Sequence, residues 1–157
     1  MTVTNAMRLL TQAGIPFETS EYPVDESDLS GVHAAEMLGV EPDCVFKTLV
    51  VRGERRGICV FVIPVAEELD LKKCAATMGD KKAEMIHVRE LLGLTGYVRG
   101  GCSPIGMKKA LPTVIAASAQ AFDSIYVSAG RIGTSVFLAP EALAKAARAT
   151  FADIIVH

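Results

Sequence analysis

The chain has 157 residues, of which 50% are hydrophobic and 22% charged, and its formal net charge is -2. This composition is typical of one globular domain spanning residues 1–157. The slightly acidic net charge excludes a protein that binds long nucleic acid by phosphate neutralisation alone. No apolar run approaches the roughly 20 residues that cross a bilayer, and the N-terminal residues lack the apolar stretch of a signal peptide, so we predict a cytoplasmic protein without membrane contact.

The cysteines and histidines are too far apart to form a recognisable metal-binding motif. The sequence contains neither C-x-x-C nor H-E-x-x-H, and the cysteines lie mostly within apolar patterns that are typical of buried thiols. We therefore predict reduced cysteines, no metal site and no cofactor. The residues concerned are Cys44, Cys59, Cys74, Cys102, His33, His87 and His157.

The N-terminal third of the chain predicts two short helices with a strand between them. An apolar stripe and a terminal glycine predict a helix over 4–13. Residues 15–24 alternate between two prolines, a pattern that favours an edge strand. A polar loop precedes a second helix over 31–40, which ends near a glycine and a proline.

The central third predicts a β-hairpin followed by helices. Strands over 45–51 and 58–65 are separated by RGERRG, whose glycines and charges are typical of a hairpin turn. Residues 69–79 form a helical pattern with Asp70 at its start and Gly79 at its end. A further helical pattern covers 85–94.

The C-terminal third predicts a loop, three strands and a closing helix. Clustered glycines and proline make 100–106 a loop. Strands follow over 112–117, 124–130 and 135–140, and a helix covers 140–150, with proline at its first position. Without a repeat or linker, the whole chain is predicted to be one α+β (mixed α/β) domain with helices around a mixed sheet.

Lys47 is the one charged residue in an apolar strand pattern. With a period of two, it shares a face with Val45, Leu49 and Val51. A lysine in such a place must pair its charge, reach water or face a ligand. Two interpretations stay open: a side chain that extends to solvent near a sheet edge, and an ammonium that projects into a binding site.

The motif GGCSPIG could present backbone N–H groups to an anion or a carbonyl oxygen. Gly100 and Gly101 permit close backbone approach, and Ser103 precedes Pro104. The spacing does not match a phosphate-binding P-loop, and a plain turn is the alternative. Cys102 could be a nucleophile, but the sequence supplies no evident basic partner, so a loop residue chosen for its size is preferred.

Three pairs of lysines offer local positive charge in this slightly acidic chain. They either line one electropositive rim or lie on ordinary solvated surfaces, and the second interpretation is favoured by the pattern alone. The pairs are Lys72 with Lys73, Lys81 with Lys82, and Lys108 with Lys109.

Four ordered motifs resemble those of the YbaK/EbsC family of Cys-tRNA(Pro) deacylases, which are related to the editing domain of bacterial prolyl-tRNA synthetases. They are VFKTLVV, PVAEELDLKKCAATMGDKKAEM, TGYVRGGCSPIGMKKALPTVI and IYVSAGRIG, and the resemblance extends from about Ala6 to Asp153. It implies a strongly curved mixed sheet flanked by helices. It also implies an aminoacyl-tRNA deacylase that hydrolyses the ester of a wrong amino acid on tRNA(Pro).

The resemblance also implies the residues of the site. Lys47 matches the catalytic lysine beside the ester, and the family's cysteine-specific members are thought to use the substrate's own thiol as nucleophile. Two positions depart from the family pattern, because Ser135 replaces an acidic residue and Ala129 replaces a glycine. The implied substrate-binding residues are Tyr22, Gly100, Gly101, Ser103, Pro104 and Ser128.

The implied partner is the acceptor end of mischarged tRNA(Pro), with a complex with prolyl-tRNA synthetase as a further candidate. Two other functions stay open at this point. One is deacylation of another mischarged tRNA such as Ala-tRNA(Pro), since pocket size would decide the amino acid. The other is a non-catalytic module that binds an aminoacyl-tRNA or a synthetase.

Overall fold

The computed structural model describes residues 3–25 and 27–157. It contains two short 3-10 helices, Pro42–Cys44 and Ala117–Ala121. The α-helices are α1 (Asn5–Gln12), α2 (Gly31–Leu38), α3 (Leu71–Met78), α4 (Val88–Thr95) and α5 (Pro140–Ala147). The strands are β1 (Glu18–Glu21), β2 (Phe46–Gly53), β3 (Ile58–Pro64), β4 (Ala83–Met85), β5 (Thr113–Ala116), β6 (Ile125–Arg131), β7 (Thr134–Leu138) and β8 (Ala149–Ala152).

The helix boundaries follow local capping chemistry. The Asp70 side chain accepts hydrogen bonds from the first backbone N–H groups of α3, and the Ser30 side chain does the same for α2. Gly79 ends α3 in the left-handed conformation, with φ of 73°, where a side chain would add strain. The predicted starts and stops of α2 and α3 are confirmed, because such boundaries depend on neighbours in sequence.

The strands form two sheets. A five-stranded sheet has the order β4-β2-β3-β5-β8, and a three-stranded sheet has the order β1-β7-β6. The β2–β3 pair is the predicted antiparallel hairpin, whereas β5 pairs in parallel with both β3 and β8. A single bridge between Val45 and Tyr126 links the two sheets. The predicted mixed α/β class is confirmed, with the strands divided between two sheets.

Two short strands were not predicted. β4 ends at Met85, the first residue of the segment predicted as helix 85–94, and α4 begins at Val88. Arg148 has φ of 53°, which ends α5, and the chain then pairs as β8 alongside β5. Both strands depend on a partner that is distant in sequence, and their local patterns alone do not distinguish them from helix.

The core lies between the sheets and the helices. The bridge between Val45 and Tyr126 brings the beginning of β2 next to the beginning of β6. The largest buried side chains include Phe61, Ile63 and Ile115 of the five-stranded sheet. A smaller buried cluster joins Val45 to α2. No helix in the described part of the chain is long and apolar enough to span a membrane.

Candidate active site

A cavity of about 590 Å³ opens where the two sheets meet. Its walls come from the start of α2, from β2, from the β4–α4 segment, from the GGCSPIG loop and from β6 and β7. Four of the predicted site residues line it: Tyr22, Lys47, Gly100 and Ser128. The tertiary structure therefore brings together side chains that are separated by more than half of the sequence.

Lys47 lies half-buried on the β2 wall, opposite Ile63 of β3. Burial lowers the pKa of its ammonium, and the negative charges of Glu68 and Glu67 oppose that shift only in part. Among residues 3–25 and 27–157, no carboxylate lies within 4.0 Å of the ammonium nitrogen. Its position on the cavity wall favours the ligand-facing interpretation.

The β2 strand has an open edge toward the cavity. On the side away from β3, its partner β4 pairs only with Val51–Gly53. Consecutive residues from Val45 to Val50 therefore line the cavity, whereas a period of two assigns neighbours to opposite faces. This is why Thr48, next to Lys47, belongs to the site although the alternating pattern placed it elsewhere.

Thr48 lines the cavity, although the sequence did not indicate it as a site residue. Its hydroxyl oxygen is buried and has no hydrogen-bond partner within the described residues. A buried hydroxyl without a partner costs about 1–3 kcal/mol.

The GGCSPIG loop contributes to the site in two different ways. Gly100 lines the cavity, and Gly101 lies against the β6–β7 turn, where an added Cβ would be 3.0 Å from the Ile132 backbone nitrogen. Ser103 is fully buried, and its hydroxyl accepts a hydrogen bond of 3.2 Å from the Ile105 backbone N–H. Gly101, Ser103 and the buried Pro104 do not line the cavity. These three residues are buried within the loop and determine its conformation.

Cys102 lines the cavity but is poorly suited to be a nucleophile. Burial raises the pKa of its thiol to about 11, with a hydrogen bond to Thr95 opposing the shift. A thiol with this pKa is almost entirely protonated at neutral pH, whereas catalytic cysteines react as thiolates. The preference for a non-catalytic Cys102 is in agreement with this geometry.

Neutral hydroxyl groups occupy the wall formed by β1, β6 and β7. Ser128 and Ser135 are directly opposite each other in the sheet register, and both line the cavity. The Ser128 hydroxyl accepts a hydrogen bond of 3.1 Å from the Gly130 N–H. Burial raises the pKa of Tyr22, and its backbone N–H donates to Gly133 at 2.9 Å.

The charge on the cavity wall is purely positive. Its lining residues, all in the described part of the chain, include Lys47 and Arg99 but no aspartate or glutamate. Ser135 at the position of the family's acid contributes to this result. Arg99 was not singled out from the sequence, although it lies within the quoted motif directly before GGCSPIG and its charge was a usable signal.

No group of three or more metal-ligating side chains that could hold an ion occurs in residues 3–25 and 27–157. The cavity instead combines one half-buried cation, several hydroxyl groups and backbone amides of a glycine-rich loop. Such groups can orient an ester and stabilise negative charge on its carbonyl oxygen.

Comparisons with known proteins agree with this fold. A family profile described as the aminoacyl-tRNA editing domain matches residues 29–146. The chain is 49% identical over 151 residues to EbsC of Enterococcus faecalis, a candidate Cys-tRNA(Pro)/Cys-tRNA(Cys) deacylase, covering 96% of this chain and 92% of that protein. It is 30% identical over 129 residues to YwhH of Bacillus subtilis, covering 82% and 77% of the two chains.

A similar fold occurs in a crystal structure titled as a candidate trans-editing enzyme for prolyl-tRNA synthetase. The TM-score is 0.84 at 24% identity, and the match covers 99% of this chain and 100% of the other. The protein belongs to the aminoacyl-tRNA editing domain family. The predicted resemblance and the predicted enzyme class, an aminoacyl-tRNA deacylase, are confirmed.

Proposed function

We propose that the chain is a trans-editing enzyme, one editing domain over residues 1–157, that removes cysteine from mischarged tRNA(Pro). The observation that carries this proposal is Lys47, a half-buried cation on the wall of a cavity without a carboxylate among its described lining residues. A cation in this setting suits an ester whose carbonyl oxygen gains negative charge. The likeness to EbsC over nearly the whole chain supports cysteine as the amino acid.

In the proposed reaction the thiol of the esterified cysteine attacks its own carbonyl carbon. A carbon–sulfur bond forms, the carbon–oxygen bond to the terminal ribose breaks, and the thiol proton ends on the ribose oxygen. The products are tRNA and a cyclic thiolactone, which water then hydrolyses to cysteine. No nucleophile from the protein is needed, which fits a cavity whose own thiol, Cys102, is held protonated.

The task of the protein is then to orient the ester and stabilise the oxyanion. The Lys47 side chain and the Gly100 backbone both line the cavity, and the Lys47 ammonium and the Gly100 N–H are candidates for this stabilisation. The hydroxyl groups of Ser128 and Ser135 offer neutral partners for the amino acid's polar atoms. Tyr22 directly follows β1 and lines the cavity, which makes it a further candidate contact.

We further propose that selection of tRNA(Pro) over other tRNAs depends on a complex with prolyl-tRNA synthetase. The net charge of -2 leaves few phosphate contacts for reading a whole tRNA. Gel-shift or fluorescence titration of the protein alone should therefore give similar, salt-sensitive affinities for tRNA(Pro) and tRNA(Cys). Tight binding of tRNA(Pro) with rejection of tRNA(Cys) would contradict this proposal.

The reaction is tested with three esters of the same tRNA(Pro): cysteine, alanine and 2-aminobutyrate, which replaces the thiol of cysteine with a methyl group. We expect cleavage of the cysteine ester alone, with a thiolactone that can be trapped. Lys47→Ala should abolish turnover while circular dichroism shows an intact fold, and Lys145→Ala, at an exposed lysine of α5, should behave as wild type.

The other outcomes separate the alternatives. Cleavage of the alanine or 2-aminobutyrate ester at a comparable rate would replace the thiol mechanism with attack by water. Failure to cleave any of the three esters, combined with measurable binding of the aminoacyl-tRNA, would identify a non-catalytic binding module.

A further inference from the structure

The segment 95–109, here called the basic loop, is a closed unit that contributes Arg99, Gly100 and Cys102 to the cavity wall. Its ends meet where the Lys108 N–H donates to the Thr95 carbonyl at 2.9 Å. Inside it, the Tyr97 hydroxyl donates to the Ile105 carbonyl at 2.5 Å. These two contacts hold the backbone of the loop in one conformation.

The basic loop carries three exposed cations, Arg99, Lys108 and Lys109. None of them has a carboxylate partner within 4.0 Å in the described structure. The sequence contains no aspartate or glutamate from 91 to 122. The loop is therefore a locally positive surface on a protein whose net charge is negative.

The other two lysine pairs have different surroundings. Lys73 donates to Asp153 at 3.0 Å and to the Ile155 carbonyl at 2.9 Å. Lys81 follows Asp80, whose carboxylate accepts the Lys81 backbone N–H at 2.7 Å. The three predicted pairs thus do not share one environment, and only the pair at 108–109 adjoins the cavity loop.

The stretch of cavity wall next to the basic loop is flanked by acidic residues. Exposed carboxylates at Glu21, Asp25 and Asp28 flank the lining residues of that stretch. The acidic stretch and the basic loop meet at Leu29 and Gly100. A Cβ added to Gly100 would be 3.4 Å from the Leu29 Cβ. A polyanion that leaves the cavity is repelled by the acidic stretch and attracted toward the basic loop.

We propose that the acceptor end of the tRNA leaves the cavity across the basic loop, with a phosphate near Arg99 at the cavity wall and the following phosphates near Lys108 and Lys109. This inference rests on the proposed function, because it takes the aminoacylated end of a tRNA as the group in the cavity. Three phosphate contacts are enough to set direction and register without reading sequence. They are also few enough to agree with a slightly acidic protein.

The test compares a full-length cysteinyl-tRNA with a short cysteinyl ester of the terminal CCA trinucleotide. The variants are Lys108→Gln/Lys109→Gln and Arg99→Gln, and the control is Lys72→Gln, at an exposed lysine of α3. For the double variant we expect kcat/KM on the full-length substrate to fall severalfold, with little change on the short ester. The slope of log kcat/KM against log salt concentration should become shallower by about 0.7 to 0.9 for each lost contact.

The result on the short ester separates the two proposals. If wild type cleaves neither substrate, the proposed function fails. If wild type is active and the double variant keeps both the rate and the salt slope, the basic loop does not carry the tRNA. Equal losses on both substrates with an unchanged slope would show a structural role for the loop. An unchanged slope with weaker binding to prolyl-tRNA synthetase would show a protein partner, and either result overturns the inference.

Discussion

Arg52 of β2 and Glu90 of α4 form a two-point ion pair, with nitrogen–oxygen distances of 2.7 and 3.2 Å. The same carboxylate accepts the His87 backbone N–H at 3.1 Å, at the start of the helix. α4 has only Thr95 fully buried, yet its residues Val88 and Leu91 line the cavity. The ion pair therefore ties a weakly buried wall of the site to the strand that carries Lys47.

We predict that Glu90→Gln loosens α4 and weakens substrate binding more than it slows turnover. Hydrogen exchange of the α4 amides should become faster, and KM should rise while kcat changes little. Arg52→Gln should have the same effect, because it removes the other half of the pair. A variant whose α4 exchange matches wild type would show that the pair does not hold the wall.

The stability contributed by Glu90 should depend on pH. The hydrogen bond from Arg52, together with that from the His87 N–H, lowers its pKa to about 2. Because the folded pKa lies below the unfolded value, the contribution is complete above about pH 4.3 and is lost as the pH falls toward 2. The difference in Tm between wild type and Glu90→Gln should therefore shrink over that range. A difference that stays constant from pH 7 to pH 3 would argue against this linkage.

We predict that Lys47→Met makes the protein more stable and inactive. Burial lowers the pKa of Lys47, so the folded state binds its proton less well than the unfolded chain does. The cost is therefore fully present below the folded pKa and is relieved as the pH rises through the unfolded value of about 10.4. Tm at pH 7 should rise, and the gain should become smaller in alkaline buffer. A lower Tm at pH 7 would mean that the ammonium stabilises the fold.

We predict that alanine at Gly101 and alanine at Gly93 change the free energy of unfolding in opposite directions. Gly101→Ala places a methyl group 3.0 Å from the Ile132 backbone nitrogen, so the loop must shift, at a cost of about 1–3 kcal/mol. Gly93, inside α4, has nothing within 4 Å of an added Cβ, and Gly93→Ala should stabilise by about 1 kcal/mol. Urea unfolding measures both changes. Activity should fall only for Gly101→Ala, and an unchanged activity there would show that the loop position is not needed.

We predict that Thr48→Val stabilises the unliganded protein. Valine has a similar shape and removes the buried hydroxyl without a partner, whose cost is about 1–3 kcal/mol. The measurement is thermal unfolding without ligand, and Tm should rise. A lower Tm for Thr48→Val would show that the hydroxyl stabilises the fold.

Much of the site could be recognised from the sequence because its motifs are continuous. Lys47, Gly100, Tyr22 and Ser128 were predicted and line one cavity. Ser103 lies in the same motif as the glycines but is buried in the interior of the loop. A motif records that residues occur together, whereas only the path of the chain determines which of them reach the cavity.

By itself, the sequence determined the features that depend on near neighbours. Asp70 and Gly79 bound α3, and the turn between β2 and β3 contains the residues that a hairpin favours. These elements follow from hydrogen bonds and backbone preferences within a few residues, which the order of amino acids states directly.

Only the tertiary structure decided the features that depend on distant partners. β8 exists because it pairs with β5, and Thr48 reaches the cavity because β4 leaves the edge of β2 open. The positive charge of the basic loop likewise depends on which lysines have carboxylates beside them. Burial and charge are properties of the space around a residue, and that space is formed by segments far apart in the chain.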